Sequence, residues 1–243
     1  MKILGVIPAR YASSRFPGKP LVDIDGKTMI QRVYEQCMKA ESLSKVIVAT
    51  DDMRIFDKVK SFGGEVMMTD VDHLNGTSRC AEVLHHFEEI LLEPIDYVIN
   101  IQGDEPLIDP KQIDDLASLF EDENAEIVTQ AKRETDLSLL ENLNIVKAIL
   151  DKNNFAIVFK RNLQLTTYDS QPFYKHVGIY GFKADVLNKI VHLEPSQNEL
   201  QHKLEQLRWL DNSYKIKVGI TEYESISIDT EEDLERVRKT LNS

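Results

Sequence analysis

Short apolar runs and amphipathic stretches take turns along this chain, and that alternation restricts the fold more than any other feature. Residues 3–7 form an apolar run stopped by Pro8, which reads as a buried strand. Thr28 is placed to cap a helix whose Met29, Ile30, Val33 and Met38 have helical spacing, and the β-branched run 45–50 completes a βαβ unit. Asp51 and Asp52 open a second helix to about Phe62, Gly63 and Gly64 stop it, and 65–68 resumes extended structure. The pattern then predicts a helix over 77–92, a strand over 97–101 and a helix over 110–120 begun by Pro110. Parallel neighbours need crossover helices, so the expected fold is α/β, a doubly wound, mostly parallel sheet. Near Asn144 the rhythm changes. Runs 145–150 and 155–159, joined by the polar turn 151–154, predict an inserted β-hairpin, followed by a long loop to about Lys175. A strand over 177–182, helices near 184–192 and 199–209, a strand near 215–220 and a helix from Glu231 complete the expectation. The economical organisation is one domain over 1–243, with a hairpin and loop excursion at about 144–176.

Charge and cysteine content narrow the partners. Asp and Glu number 41 against 29 Lys and Arg, a net charge of −12, which argues against a nucleic acid or an acidic membrane surface as partner. The first apolar run is too short for a signal-peptide core and is cut by Pro8 and Arg10; no later run reaches membrane-spanning length. Cys37 and Cys80 form no C-x-x-C pair and fall in helical patterns, so buried reduced thiols in a reducing cytoplasm are expected.

Within this acidic chain the loop after the first strand is basic. Arg10, Arg15 and Lys19 fall within ten positions, among small residues with exposed amides, at the strand end where open α/β sheets bind ligands. They form either a cradle for a triphosphate or a solvated basic loop. Neither G-x-x-x-x-G-K-[ST] nor G-x-G-x-x-G occurs here. Gln102-Gly103-Asp104-Glu105-Pro106 follows the strand 97–101 and opens on the same sheet edge. Gly103 permits close backbone approach, and Asp104 offers a hard oxygen to a magnesium ion bridging phosphates; a plain turn with a solvated Glu105 is the alternative. Asp229 follows a short β-like run just before the last helix. It is the candidate partner carboxylate, or else Asp229 or Thr230 is only a helix cap.

Residues 7–20, Ala49-Thr50-Asp51-Asp52, Asp72-His73, Gly76-Thr77, Gln102-Gly103-Asp104-Glu105-Pro106, Leu204-Glu205-Gln206-Leu207-Arg208 and Ile228-Asp229-Thr230 occur in one order along the chain. Over residues 3 to about 238 that combination resembles the 3-deoxy-manno-octulosonate cytidylyltransferases, the CMP-Kdo synthetases of lipopolysaccharide assembly. The resemblance implies a nucleotidyltransferase-type α/β domain, usually a homodimer, that converts CTP and Kdo to CMP-Kdo and pyrophosphate with magnesium. It assigns catalysis to Arg10, Lys19, Asp104 and Asp229, with the two carboxylates on the metal. Triphosphate contacts fall to Arg10, Arg15 and Lys19, with Pro8, Ala9 and Ser13 in the same loop. Cytidine contacts fall to Gln102 and to His73, Asn75, Gly76 and Arg79. Arg161, His176, Tyr180, Glu205 and Gln206 match the positions that hold the sugar acid. Each retains a plainer alternative: His176 as a core histidine, Tyr180 as an apolar strand residue with a wet tip, Glu205 and Arg208 as a surface pair.

The departures concentrate in the second half. Where the family typically has Phe-Ser-Arg and then Ile-Pro, this chain has Phe159-Lys160-Arg161 and then Asn162-Leu163-Gln164-Leu165. Asn75 and Ser78 stand where Ser and an acidic residue are usual, His202 where Glu is usual, and Lys183 where Arg is usual. An acceptor such as 8-amino-Kdo or another 2-keto sugar acid is therefore a second expectation. A non-catalytic nucleotide-binding protein on the same fold is the third.

Overall fold

The run Ile3–Ala9 (β1) is a strand buried on both faces: Leu4, Val6 and Ile7 have no exposed surface, which is why it reads as a continuous apolar stretch and not an alternating one. In the computed structural model, which describes residues 1–12, 16–91, 94–163, 173–224 and 226–241, β1 belongs to the first of two compact units. The first unit comprises Met1–Asp114 with Ser225–Ser243, the second Asp115–Glu224.

In the first unit β1 is followed by a ribbon of β2 (Asp23–Ile24) and β3 (Lys27–Thr28), then by α1 (Met29–Cys37), β4 (Lys45–Thr50), α2 (Met53–Ser61) and β5 (Val66–Met68). After these come α3 (Gly76–Leu91), β6 (Tyr97–Asn100) and α4 (Pro110–Ser118). The sheet order is β6-β1-β4-β5 and every pairing is parallel. Strand and helix alternate as expected. The first strand, however, does not stop at Pro8: the β4 register runs on through Pro8↔Ala49 and Ala9↔Thr50. Proline is tolerated there because the β6 register ends at Val6↔Asn100, so its missing N–H faces no second ladder. Thr28 occupies the N-cap position of α1, but its hydroxyl makes no capping bond; the first helical amide, Met29 N, donates to Val22 O instead. Asp52 does cap α2, accepting from Arg54 N. Cys37 and Cys80 are buried free thiols, and burial pushes the Cys37 thiol far up, leaving it unreactive.

The second unit is built round a strand that the sequence pattern did not reveal, β7 (Ile127–Glu134). The hairpin β8 (Lys147–Leu150) and β9 (Ala156–Lys160) follows, as expected, and then β10 (Phe173–Lys183). Next come α5 (Ala184–Ile190), α6 (Gln197–His202), α7 (Gln206–Asp211) and β11 (Ile216–Ile220), and the chain returns to the first unit for α8 (Glu231–Leu241). β11 pairs parallel with β7, whereas β7 with β10, β10 with β8 and β8 with β9 are antiparallel. The parallel pattern therefore belongs mainly to the first unit. The single helix expected near 199–209 is two. Ser196 starts α6 with a capping box closed by Glu199, and Lys203 ends it in the left-handed region at φ 53°. Trp209 packs edge-on against Tyr180 and Phe182, at 5.1 and 5.3 Å between ring centroids, and anchors α7 to β10. Among the described residues no helix is long and apolar enough to cross a membrane.

Candidate active site

Where β1 ends, the first unit opens into a cavity of about 520 Å3, lined by Pro8, Ala9, Arg10, Ala12, Lys19, Pro20, Met29, Gln102, Gly103 and Asp104. Its walls follow from local chain geometry. Gly18 donates its amide to Tyr11 O at 3.0 Å and adopts φ 72°, a left-handed turn that closes the basic loop on itself. The 3-10 turn Lys19–Leu21 then aims Lys19 back toward the sheet edge. On the other side a Cβ on Gly103 would stand 2.7 Å from Pro8 O, so only glycine lets the second loop lie against the first.

At that edge Lys19 Nζ donates to Asp104 Oδ2 at 2.7 Å and to Asp229 Oδ1 at 3.2 Å. Asp229 arrives from far along the chain because Ile228 N donates to Asp104 O at 2.9 Å, pinning the two segments together. Capping of α8 is done by other groups. Thr230 Oγ1 accepts from Asp233 N, while the Asp233 carboxylate accepts from the amides of Asp229 and Thr230. The Asp229 side chain is thereby left to face Lys19. Two carboxylates this close repel unless a cation lies between them, and here an ammonium, only 14% exposed, fills that place. Among the described residues no group of three or more acidic, His or Cys side chains gathers to cage a metal. Two carboxylates suit magnesium, which keeps water and takes further oxygens from phosphates.

The 73–79 segment lies at the start of α3. A Cβ on Gly76 would stand 3.4 Å from Pro8 Cγ, so this turn adjoins the cavity. Asn75 Oδ1 accepts from Ser78 N, and His73 bonds Ser78 and Glu82. Arg79, 1% exposed, donates to Asp51 Oδ2 at 2.7 Å and to Thr69 Oγ1. His73 and Arg79 thus spend their side chains on protein partners and brace the turn that carries Gly76. Ser13 and Arg15 lie outside the described residues.

The residues matched to the sugar acid lie in the second unit. His176 on β10 packs against Phe159 and Tyr180 at 5.1 and 5.3 Å between centroids, and burial lowers its pKa to about 3. Burial, reinforced by the Glu205 charge, pushes the Tyr180 phenol well up. His176, Tyr180 and Glu205 therefore form one group, with buried Gln206 opening α7 beside it. The Glu205 charge acts on Arg208, but the hydrogen-bonded partner of that guanidinium is another carboxylate. Arg208 forks onto Glu199, both contacts at 2.6 Å, because α6 folds back over α7. Arg161, at the end of β9, donates to Leu143 O at 3.1 Å. Lys183 donates to Glu123 O. Two buried residues here escaped the sequence reading. Lys147 donates to Asn142 O and Arg161 O, holding the base of Arg161, and its one sequence signal is a charge inside the apolar run 145–150. Thr129 lies against His176 and gave no signal of its own.

A basic loop and a carboxylate pair at the carboxyl edge of a parallel sheet fit a nucleotide-handling α/β protein of the nucleotidyltransferase class. Residues 4–217 match the cytidylyltransferase family model. The chain is 50% identical to a 3-deoxy-manno-octulosonate cytidylyltransferase of Parabacteroides distasonis, covering 97% of this chain and 96% of the relative. It is 46% identical to the protein so named in Bacteroides thetaiotaomicron, covering 100% and 99%. The solved structure of CMP:2-keto-3-deoxy-manno-octonic acid synthetase complexed with CTP superimposes with a TM-score of 0.91 at 36% identity, covering 100% of this chain and 99% of that one. The chain belongs to the 3-deoxy-manno-octulosonate cytidylyltransferase family.

Proposed function

We propose that this chain transfers CMP from CTP to the anomeric hydroxyl of Kdo, releasing pyrophosphate, in a magnesium-dependent step of lipopolysaccharide assembly. The observation that carries this is the cluster at one cavity of Arg10, Lys19 and Asp104, with Asp229 bonded to the same Lys19 ammonium. The CTP bound to a structural neighbour and the shared name of the relatives support the substrates. In this proposal Arg10, Arg15 and Lys19 neutralise the triphosphate over the backbone of Pro8, Ala9 and Ser13. Gln102 and the turn His73, Asn75, Gly76 and Arg79 flank the cytidine.

The anomeric oxygen forms its bond to the α-phosphorus as the bond to the bridging oxygen of pyrophosphate breaks, and the hydroxyl proton is lost to water. Negative charge builds on the phosphoryl oxygens and the leaving group, so cations held in advance supply most of the rate enhancement. Asp104 and Asp229 are the residues that would hold magnesium, whose chemistry is to neutralise those oxygens. One displacement suffices, and no side chain need act as nucleophile. Arg161 has the planar fork that pairs with a sugar carboxylate, while His176, Tyr180, Glu205 and Gln206 offer hydrogen bonds to hydroxyls. A homodimer in the cytoplasm, where buried reduced thiols such as Cys37 and Cys80 are stable, belongs to the same proposal.

Pyrophosphate release with CTP across Kdo, 8-amino-Kdo and a sialic acid tests it. The expected result is strong preference for Kdo and loss of turnover in EDTA. Full turnover in EDTA would remove the metal from the mechanism, and preference for another acid would reassign the acceptor.

A further inference from the structure

Strand β10 bulges where it passes β7. Val177 pairs with Gln130 and Tyr180 with Thr129, so Gly178 and Ile179 have no counterpart on β7. The Thr129 hydroxyl, fully buried, sits inside this bulge, 2.8 Å from Ile179 O, 3.2 Å from Val177 O and 3.0 Å from His176 Nε2. A hydroxyl has one proton to give, and both carbonyls can only accept. The proton serves a carbonyl, the nearer being Ile179 O. With the hydroxyl proton spent on that nearer carbonyl, the contact with the imidazole is made by a proton of the ring. Nε2 therefore carries the hydrogen and Nδ1 keeps its lone pair, an assignment that follows from the hydrogen-bond network. No described residue bonds Nδ1, and the rings of Phe159 and Tyr180 on either side restrict rotation of the imidazole.

We propose that Thr129 is a positioning residue that locks His176 in the Nε2–H tautomer, so that Nδ1 accepts a hydrogen bond from a hydroxyl of the acceptor sugar acid. The proposal rests on His176 as a sugar contact. It deepens that assignment by stating which nitrogen faces the ligand and which kind of group, a donor, it selects. A sugar lacking that hydroxyl, or carrying an ether there, has no proton to offer. Because burial keeps the ring neutral at physiological pH, Nδ1 remains an acceptor throughout the working range.

The test is proton–nitrogen correlation NMR of histidine-labelled protein, with His176→Phe identifying the signal by its loss, alongside steady-state kinetics with Kdo and CTP. The wild-type spectrum should have the pattern of a protonated Nε2 and a bare Nδ1. Thr129→Val, which keeps the shape and removes the hydroxyl, should mix the tautomers and raise KM for Kdo about tenfold with KM for CTP unchanged. Thr129→Ser should restore both. A wild-type spectrum with Nδ1 protonated overturns the proposal without recourse to any variant, and so does a Thr129→Val protein that keeps both tautomer and KM. If Thr129→Val mixes the tautomers while KM for Kdo stays put in it and in His176→Phe, the tautomer lock stands as structure, but His176 is no sugar contact and the positioning role falls.

Discussion

Lys19, Asp104 and Asp229 form a unit in which each charge depends on the others. The ammonium relieves the repulsion of the carboxylates, and the carboxylates hold the ammonium at the sheet edge. Asp104→Asn and Asp229→Asn should each leave the fold intact and lower kcat at least about a hundredfold, with the double variant little worse than either single one, because residues acting together are non-additive. Pyrophosphate release at saturating CTP and Kdo measures this. Near-normal turnover with unchanged magnesium dependence in either variant would remove that residue from the metal site. These three positions were legible because each lies in a segment that follows a strand-like run, and ends of parallel strands share an edge. The side-chain partners of His73 and Arg79 were not. A sequence displays which donors exist, whereas Asp51, Thr69 and Glu82 claim them only once β4, β5 and α3 are assembled.

The two loops that make the cavity touch at Gly103, and this contact ties the end of β1 to the end of β6. Gly103→Ala places a methyl 2.7 Å from Pro8 O, against backbone that cannot rotate away. The expected cost is about 1–3 kcal/mol, read as a lower melting temperature, together with a raised KM for CTP as the two loops separate. An alanine variant with native melting and native KM would mean that the loops slide freely past each other. The first unit was readable because β1, β4 and β6 are buried on both faces and the chain between elements is punctuated by Pro, Gly and Asp. β7 was not, for a physical reason. Only Ile127-Val128-Thr129 has the β-branched signature; the strand then runs through buried Gln130 into Lys132, Arg133 and Glu134, and the polar residues mask the period. Lys203 likewise hid a helix break, since lysine rarely marks a left-handed turn.

Acid should weaken the molecule through His176. Its pKa is about 3 in the folded protein against an ordinary 6.5, so between those values the unfolded chain binds a proton that the native chain refuses. Stability is full above pH 6.5 and falls as pH drops toward 3, with a slope from this group approaching about 1.4 kcal/mol per pH unit. Melting temperatures from pH 7 to pH 4 should decline more steeply in the native protein than in His176→Leu, and parallel curves would remove His176 as the cause. The pinning of Ile228 to Asp104 carries a different consequence, one of timing. Lys19 and Asp229 are 210 positions apart, and the whole second unit is made before the second carboxylate exists. A ribosome that has synthesised the basic loop, the glycine loop and every strand has still not produced the residue that completes the acidic pair. The acidic pair is therefore incomplete until the last segment folds back onto the first, and a message cut short before codon 229 yields a chain in which Lys19 has Asp104 alone to face.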